Sequence, residues 1–71
     1  MADTVWVDFN NADAKGRIRL NVRGTVESLE RQGVILTPGL TLVLDDGDVH
    51  VTAVAEYSLE ESIWVAVPCW P

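Results

Sequence analysis

Short runs of valine, leucine and threonine, separated by turn-forming residues, constrain the fold of this chain most strongly. Such runs are typical of β-strands, because branched side chains pack well on a pleated surface. The predicted strands are Thr4–Phe9, Arg17–Arg23, Leu40–Asp45, Asp48–Tyr57 and Ile63–Val67. Five strands in this arrangement predict an all-β protein.

The tightest turn signal is Asp46-Gly47, since a two-residue hairpin turn needs positive φ at both central positions. With this turn, Leu44 would lie opposite Val49 and Leu42 opposite Val51. A slip of one residue would turn the whole apolar set of a strand to solvent, so we expect the alternation to determine which face is buried.

Two further hairpins are predicted on the same principle. A loop over Ser58–Ser62 would place Ala55 opposite Val65, and a loop over Asn10–Lys15 would pair the first strand with the second in antiparallel. The three hairpins then share one apolar face. This predicted inner face consists of Val5, Val7, Phe9, Ile18, Leu20, Val22, Leu40, Leu42, Leu44, Val49, Val51, Val65 and Val67.

One short helix fits between the second and third predicted strands. Thr25 is a suitable N-cap, and Gly33 can adopt the left-handed conformation that ends a helix. Only Val26 and Leu29 give the segment an apolar side, so we expect a helix of one or two turns.

The length of the chain, 71 residues, favours closure of the sheet. A flat five-stranded sheet would leave one face uncovered by so short a helix. We therefore expect residues 1–71 to form a single domain, a five-stranded antiparallel barrel of the SH3-like type with one short helix, or alternatively an OB-like barrel. The core of such a chain is thin, and a lone Cys69 cannot form an internal disulfide.

Three stretches carry a resemblance to known proteins: Leu29-Glu30-Arg31-Gln32-Gly33, Pro38-Gly39-Leu40-Thr41-Leu42, and Val54-Ala55-Glu56-Tyr57 together with Trp64-Val65-Ala66. They are similar to short bacterial proteins of uncharacterised function with a small SH3-like barrel. The resemblance covers roughly half of the chain. Its motifs are structural, so it implies a fold and nothing about activity.

The charges divide unevenly along the chain, which has a net charge of −6. The stretch Lys15–Arg23 holds four of the five cationic residues, including Arg17, Arg19 and Arg23, and contains no acid. It could meet an anion or the acidic face of another copy, although Asp8 is expected to lie opposite Arg17. The net charge disfavours a nucleic-acid partner, because duplex binding depends on neutralising phosphates.

Side chains that could carry out chemistry are few. His50 has no nucleophile obviously beside it in the predicted hairpins, and Cys69 has no helix start or basic neighbour to activate its thiol. Asp45 and Asp48 flank the turn without the ligand spacing of a calcium-binding loop. We therefore predict no catalytic residues, no metal site and no cofactor.

The aromatic residues indicate a contact surface instead. By the parity of the strands, Trp6 and Trp64 point outward together with Val54, unless the tail Pro68–Pro71 or the helix folds over them. Exposed tryptophan is enriched at interfaces. The predicted binding residues are Trp6, Arg17, Arg19, Arg23, Val54 and Trp64.

These observations favour a non-catalytic interaction module that acts through its surface and associates with itself or with another protein. The alternative is a very small enzyme or ligand binder whose site forms between subunits. A weaker alternative is a binder of nucleic acid or another anion through Lys15–Arg23. No apolar stretch approaches ~18 residues and no signal pattern is evident, so we expect a cytoplasmic protein without a membrane partner.

Overall fold

A single mixed sheet with one helix beside it makes up the fold. The computed structural model describes residues 3–71. The sheet order is β1-β3-β4-β5-β2, so an all-β architecture with one helix between the second and third strands is confirmed. The elements are β1 (Asp3–Trp6), β2 (Ile18–Arg19), α1 (Arg23–Gln32), β3 (Thr41–Asp45), β4 (His50–Ser58) and β5 (Ile63–Pro68).

Strand β1 does not form the predicted hairpin with the second strand. It runs parallel to β3, with Val5 opposite Leu44, and the two-residue β2 pairs with β5 instead. A much shorter hairpin replaces the predicted one, in which Ala12 bridges Ile18 and the chain reverses near Gly16 at φ +78°. The sheet is therefore open, with β1 and β2 at its edges, and the expectation of a wholly antiparallel closed barrel is wrong.

The β3–β4 hairpin forms two residues away from the predicted register. Leu44 lies opposite Val51, not opposite Val49. The carboxylate of Asp46 accepts hydrogen bonds from the N–H groups of Asp48 and Val49 at 2.9 and 2.8 Å, which stabilises a longer loop. Because a shift of two residues leaves the faces of both strands unchanged, the predicted alternation holds, while Val49 itself becomes exposed.

The β4–β5 hairpin differs from its predicted register by one residue, and this exchanges the faces of β5. Ala55 lies opposite Ala66 and Tyr57 opposite Trp64, because β4 continues through the residue expected to begin the loop. Trp64 consequently packs against the core, so the prediction that it points outward is wrong. Val65 moves to the opposite face, where it is nevertheless fully buried.

The core lies on the inner face of the sheet and includes one residue of the helix. Leu42 and Leu44 are fully buried, whereas Val43 is half-buried and Thr41 is exposed, as the alternation predicts. Four predicted inner residues, Phe9, Val22, Leu40 and Val67, are only half-buried. The buried cluster consists of Val5, Val7, Ile18, Leu20, Leu29, Leu42, Leu44, Val51, Ala53, Ala55 and Ala66.

Helix α1 has its N-cap three residues earlier than expected, and with ten residues it is longer than the one or two turns predicted. Val22 occupies the N-cap position without a side-chain hydrogen bond, and Thr25 is buried within the first helical turns. Gly33 ends the helix in the left-handed conformation, as predicted, and its N–H is directed at the carbonyl groups of the preceding turn. No helix within residues 3–71 is long and apolar enough to span a membrane.

The core position of Leu42 predicts a large effect of truncation. Leu42→Ala should lower the free energy of unfolding by about 2–5 kcal/mol, because the side chain is fully buried and a cavity would replace it. Thermal unfolding followed by circular dichroism measures the loss. Val43→Ala, on the opposite face of the same strand, is the control, and equal losses for the two variants would contradict the assigned faces.

Candidate binding surface

The sheet face opposite the core carries apolar side chains among polar ones, since the strand registers also place Thr41, Thr52 and Glu56 on it. Strand registers place Trp6, Val43, Val54, Val65 and Val67 together on this side, which we call the outer face. Trp6 is 46% exposed, whereas three of the valines are half-buried and Val65 is fully buried. Three of the predicted binding residues, Trp6, Arg19 and Val54, thus lie on this face, where Arg19 is opposite Val65 in the β2–β5 register.

Trp6 stands at the edge of this face, against the beginning of α1. A Cβ atom added at Gly24 would lie 2.7 Å from Cε3 of the Trp6 ring. No ordinary side chain fits in that space, so the glycine allows the indole to lie on the helix. The position of Trp6 is therefore determined by the helix as much as by its own strand.

Side chains of α1 also cap the open edge of β1. Gln32 donates from Nε2 to the carbonyl oxygen of Thr4 at 2.7 Å, and the N–H of Trp6 donates to Oγ of Ser28 at 3.4 Å. Gln32 donates to Oγ of Ser28 as well, at 3.1 Å. These contacts occupy backbone groups that an exposed edge strand would otherwise offer to another chain.

A groove of about 340 Å³ lies between α1, β1 and the β3–β4 loop. This volume is at the lower end of the range for small-molecule sites. The carboxylate of Asp45 accepts a hydrogen bond from the N–H of Gly47 at 2.7 Å, which holds it beside the groove. The residues that line it are Thr4, Trp6, Ser28, Arg31, Gln32, Asp45 and Gly47.

Arg17 forms the centre of a polar cluster at the other end of the sheet. The Arg17 side chain is only 10% exposed, and its guanidinium contacts Asp13 and Glu56 at 2.7 Å each. It also donates to Oγ of Ser58, at the end of β4, at 3.4 Å. The expected pairing of Arg17 with an acid of the first strand is wrong. These contacts occupy Arg17 within its own chain.

The other cations of the basic stretch are also paired. Arg19 binds both carboxylate oxygens of Glu61, at 2.8 and 2.7 Å, and Lys15 contacts Glu60 at 2.9 Å. Arg23 pairs with Glu27 on the exposed side of α1. The structure thus neutralises the basic stretch with acids from the same chain, of which Glu56, Glu60 and Glu61 are too distant in sequence for a local pattern to reveal.

Hydrogen bonding in this cluster shifts the pKa values of its members. Burial by itself would raise the pKa of Asp13, but hydrogen bonds from the backbone and side chain of Arg17 and from the Lys15 N–H lower it below its usual value. Hydrogen bonds to Asp13 and Glu56 raise the pKa of Arg17. The ionised forms of both partners are therefore favoured in the folded protein.

The remaining aromatic residues lie away from the outer face. Trp64 contacts Tyr57 edge-to-face at a centroid distance of 5.4 Å. Trp70, in the tail, packs on Phe9 at 5.6 Å, so its ring contacts the chain's own core side and does not cover Trp6. The binding role predicted for Trp64 therefore lacks the outward orientation on which it was based.

Residues that could bind a metal or take part in catalysis are dispersed over the described part of the chain. Among residues 3–71, no group of three or more His, Cys, Asp or Glu side chains is placed to hold a metal ion. His50 and Cys69 are both exposed. Sequence reasoning missed Arg31 and Asp45 as groove residues, because only the parallel β1–β3 pairing brings the two regions together.

Comparison of the chain with family models, with curated proteins and with solved structures finds no match. The resemblance to short bacterial proteins of uncharacterised function therefore stays a prediction. Any conclusion about function therefore rests on the geometry of the outer face and the groove.

The lowered pKa of Asp13 predicts a loss of stability in acid. A carboxyl group with a depressed pKa stabilises the fold above its ordinary value, about 3.9, and this contribution disappears as the pH falls through the folded-state pKa. Asp13→Asn should be less stable than the parent at pH 7, and its stability should fall less between about pH 5 and pH 2. Denaturant unfolding across this range measures both effects.

Asp48→Asn is the control for that experiment, because it removes one negative charge from an exposed loop. It should retain the stability of the parent at pH 7. If Asp13→Asn and the parent lost stability equally on acidification, the ion pair with Arg17 would not be the source of the effect.

The contact between Gly24 and Trp6 predicts an unusual response to alanine. Alanine is favoured over glycine in a helix by about 1 kcal/mol, yet its Cβ would meet the indole ring. Gly24→Ala should therefore fail to stabilise the protein and should shift the Trp6 indole resonance in NMR spectra. Val26→Ala, at an exposed helical position, is the control, and it should leave that resonance in place. A Gly24→Ala variant with the full gain and an unmoved resonance would contradict the contact.

Proposed function

We propose that the protein is a non-catalytic interaction module that associates with a second copy of itself through the outer face. One observation carries this proposal: Trp6, half-exposed, shares a single sheet face with the half-buried Val43, Val54 and Val67. Exposed apolar side chains gathered on one face usually mark a contact site in soluble proteins, and tryptophan is enriched among the residues that dominate binding energy.

The size of the outer face suits a dimer. The two longest extents of the molecule are 27 and 25 Å. A stable interface buries ~800 Å² on each partner, so nearly all of one face is needed. Against a total accessible surface of 4468 Å², such an interface would remove about a fifth. Burial of this interface would add apolar contacts to a small core, in which three of the eleven buried residues are alanine.

Two-fold symmetry also suits the distribution of charge. The loop between β3 and β4 carries Asp46 and Asp48 at one end of the sheet, while Lys15 lies at the other end, near the β4–β5 loop. A two-fold axis in the plane of the outer face and perpendicular to the strands would bring the acidic loop of one copy to the end of the other that carries Lys15, which is already paired with Glu60. Such rim charges mainly influence orientation and association rate, while the apolar centre supplies the affinity.

The ion pairs support a protein partner over a nucleic acid. Phosphate groups would have to compete for Lys15, Arg17 and Arg19 with carboxylates already in place at 2.7 to 2.9 Å. The alternative of a ligand site between subunits retains one supporting observation, since the groove beside Trp6 borders the outer face. A cytoplasmic location stays a prediction.

Val54→Glu tests the proposed dimer, because it places a charge in the middle of the outer face. The parent should be a dimer by sedimentation equilibrium, and its melting midpoint should rise with protein concentration. Val54→Glu should be monomeric with a midpoint independent of concentration, and its circular dichroism spectrum should confirm that it folds.

Val26→Glu is the matched control, since it adds the same charge to an exposed valine on the side of α1 away from Ser28. This variant should remain dimeric. A parent that is monomeric at about 1 mM, or a folded Val54→Glu variant that still dimerises, would overturn the proposal. Trp64 is unsuitable for this test because its truncation would disturb the core.

A further inference from the structure

The groove beside Trp6 holds two opposite charges that do not pair with each other. Arg31 and Asp45 both line it, yet neither takes part in an ion pair among residues 3–71. Arg31 also makes no side-chain hydrogen bond to any of those residues. A guanidinium left open in this way can receive a planar carboxylate with two parallel hydrogen bonds.

Asp45 is held in place from the opposite side of the groove. One of its carboxylate oxygens accepts the N–H of Gly47, and within the described part of the chain the other has no hydrogen-bond partner. The residue also lies directly opposite Trp6 in the β1–β3 register. A carboxylate beside an indole ring is a favourable environment for an ammonium group, through charge pairing and cation–π attraction.

The amide of Gln32 is oriented by its own contacts. Its Nε2 donates to Thr4 and to both the carbonyl and Oγ of Ser28, so the amide nitrogen is occupied. Gln32 lines the same groove, and its amide oxygen makes no hydrogen bond within residues 3–71 and stays an acceptor. At the far end, Gly47 contributes no side chain, which leaves the entrance open.

We propose that this groove binds a small zwitterion, namely a free α-amino acid with an apolar or aromatic side chain. The carboxylate would bind Arg31, the ammonium group would bind Asp45, and the side chain would lie against the indole of Trp6. A simple anion is opposed by Asp45 and a simple cation by Arg31, so the two charges together select a ligand that carries both. A groove of about 340 Å³ accommodates a molecule of this size.

Titration with L-phenylalanine, followed by NMR, tests this inference. Binding should shift the indole resonance of Trp6 and the side-chain amide resonances of Gln32. N-acetylphenylalanine lacks the ammonium group and phenylalaninamide lacks the carboxylate. Each should bind at least about tenfold more weakly than phenylalanine, because each leaves one charge of the groove without a partner.

Two variants assign the charges to their residues. Arg31→Gln should weaken phenylalanine binding about tenfold and strengthen phenylalaninamide binding, because that cation has no carboxylate to lose and is no longer repelled by Arg31. Asp45→Asn should weaken phenylalanine binding about tenfold and strengthen binding of the anionic N-acetylphenylalanine, while its amide oxygen can still accept from Gly47. Glu30→Gln, on the side of α1 away from the groove, is the control and should bind as the parent does.

Absence of any shift at about 20 mM phenylalanine would overturn the inference, and so would equal affinity for the three ligands. Trp6 belongs to both the groove and the outer face, so the titration is repeated on the monomeric Val54→Glu variant, in which no second copy competes for the ring. A monomeric parent that binds phenylalanine would remove the proposed function alone, and a folded Val54→Glu monomer that does not bind it would remove the groove ligand alone.

Discussion

Parallel pairing of β1 with β3 is the interaction on which the rest of the structure depends. It buries Val5 and Val7 completely while leaving the intervening Trp6 on the opposite face. The same pairing places Trp6 beside Asp45 and leaves the outer edge of β1 to be capped by α1. The core, the outer face and the groove all follow from this one choice of partner.

The ion pairs around Arg17 stabilise the other end of the sheet. Three carboxylates from a distant part of the chain, Glu56, Glu60 and Glu61, approach the cations of one short segment. They hold the small Ala12–Ile18 hairpin against β4 and the loop that follows it. A buried guanidinium is tolerated only when its hydrogen bonds are satisfied, as they are for Arg17. The basic stretch is thus mainly structural, and the groups left open to a partner lie elsewhere.

Those open groups fall into two neighbouring places with different chemistry. The outer face offers apolar area and suits a flat protein surface. The groove offers one cation, one anion and an aromatic wall, which suits a small polar molecule. Trp6 belongs to both, so a bound ligand and a second copy would compete for its ring or share it. This shared residue links the two proposals physically, although each rests on its own contacts.

Local rules determined much of this protein from the sequence alone. Strand alternation identified the buried faces of β1, β3 and β4, and Gly33 marked the end of α1, because side-chain parity and left-handed conformation depend on near neighbours. Tertiary structure alone decided the partner of β1, the face of Trp64 and the pairing of Arg17 with Glu56. The pairing of β1 with β3 is parallel, so no tight turn between the two strands marks it in the sequence. The face of Trp64 is reversed because the β4–β5 loop is one residue shorter than predicted. Ion pairs between distant segments depend on where the folded backbone brings them.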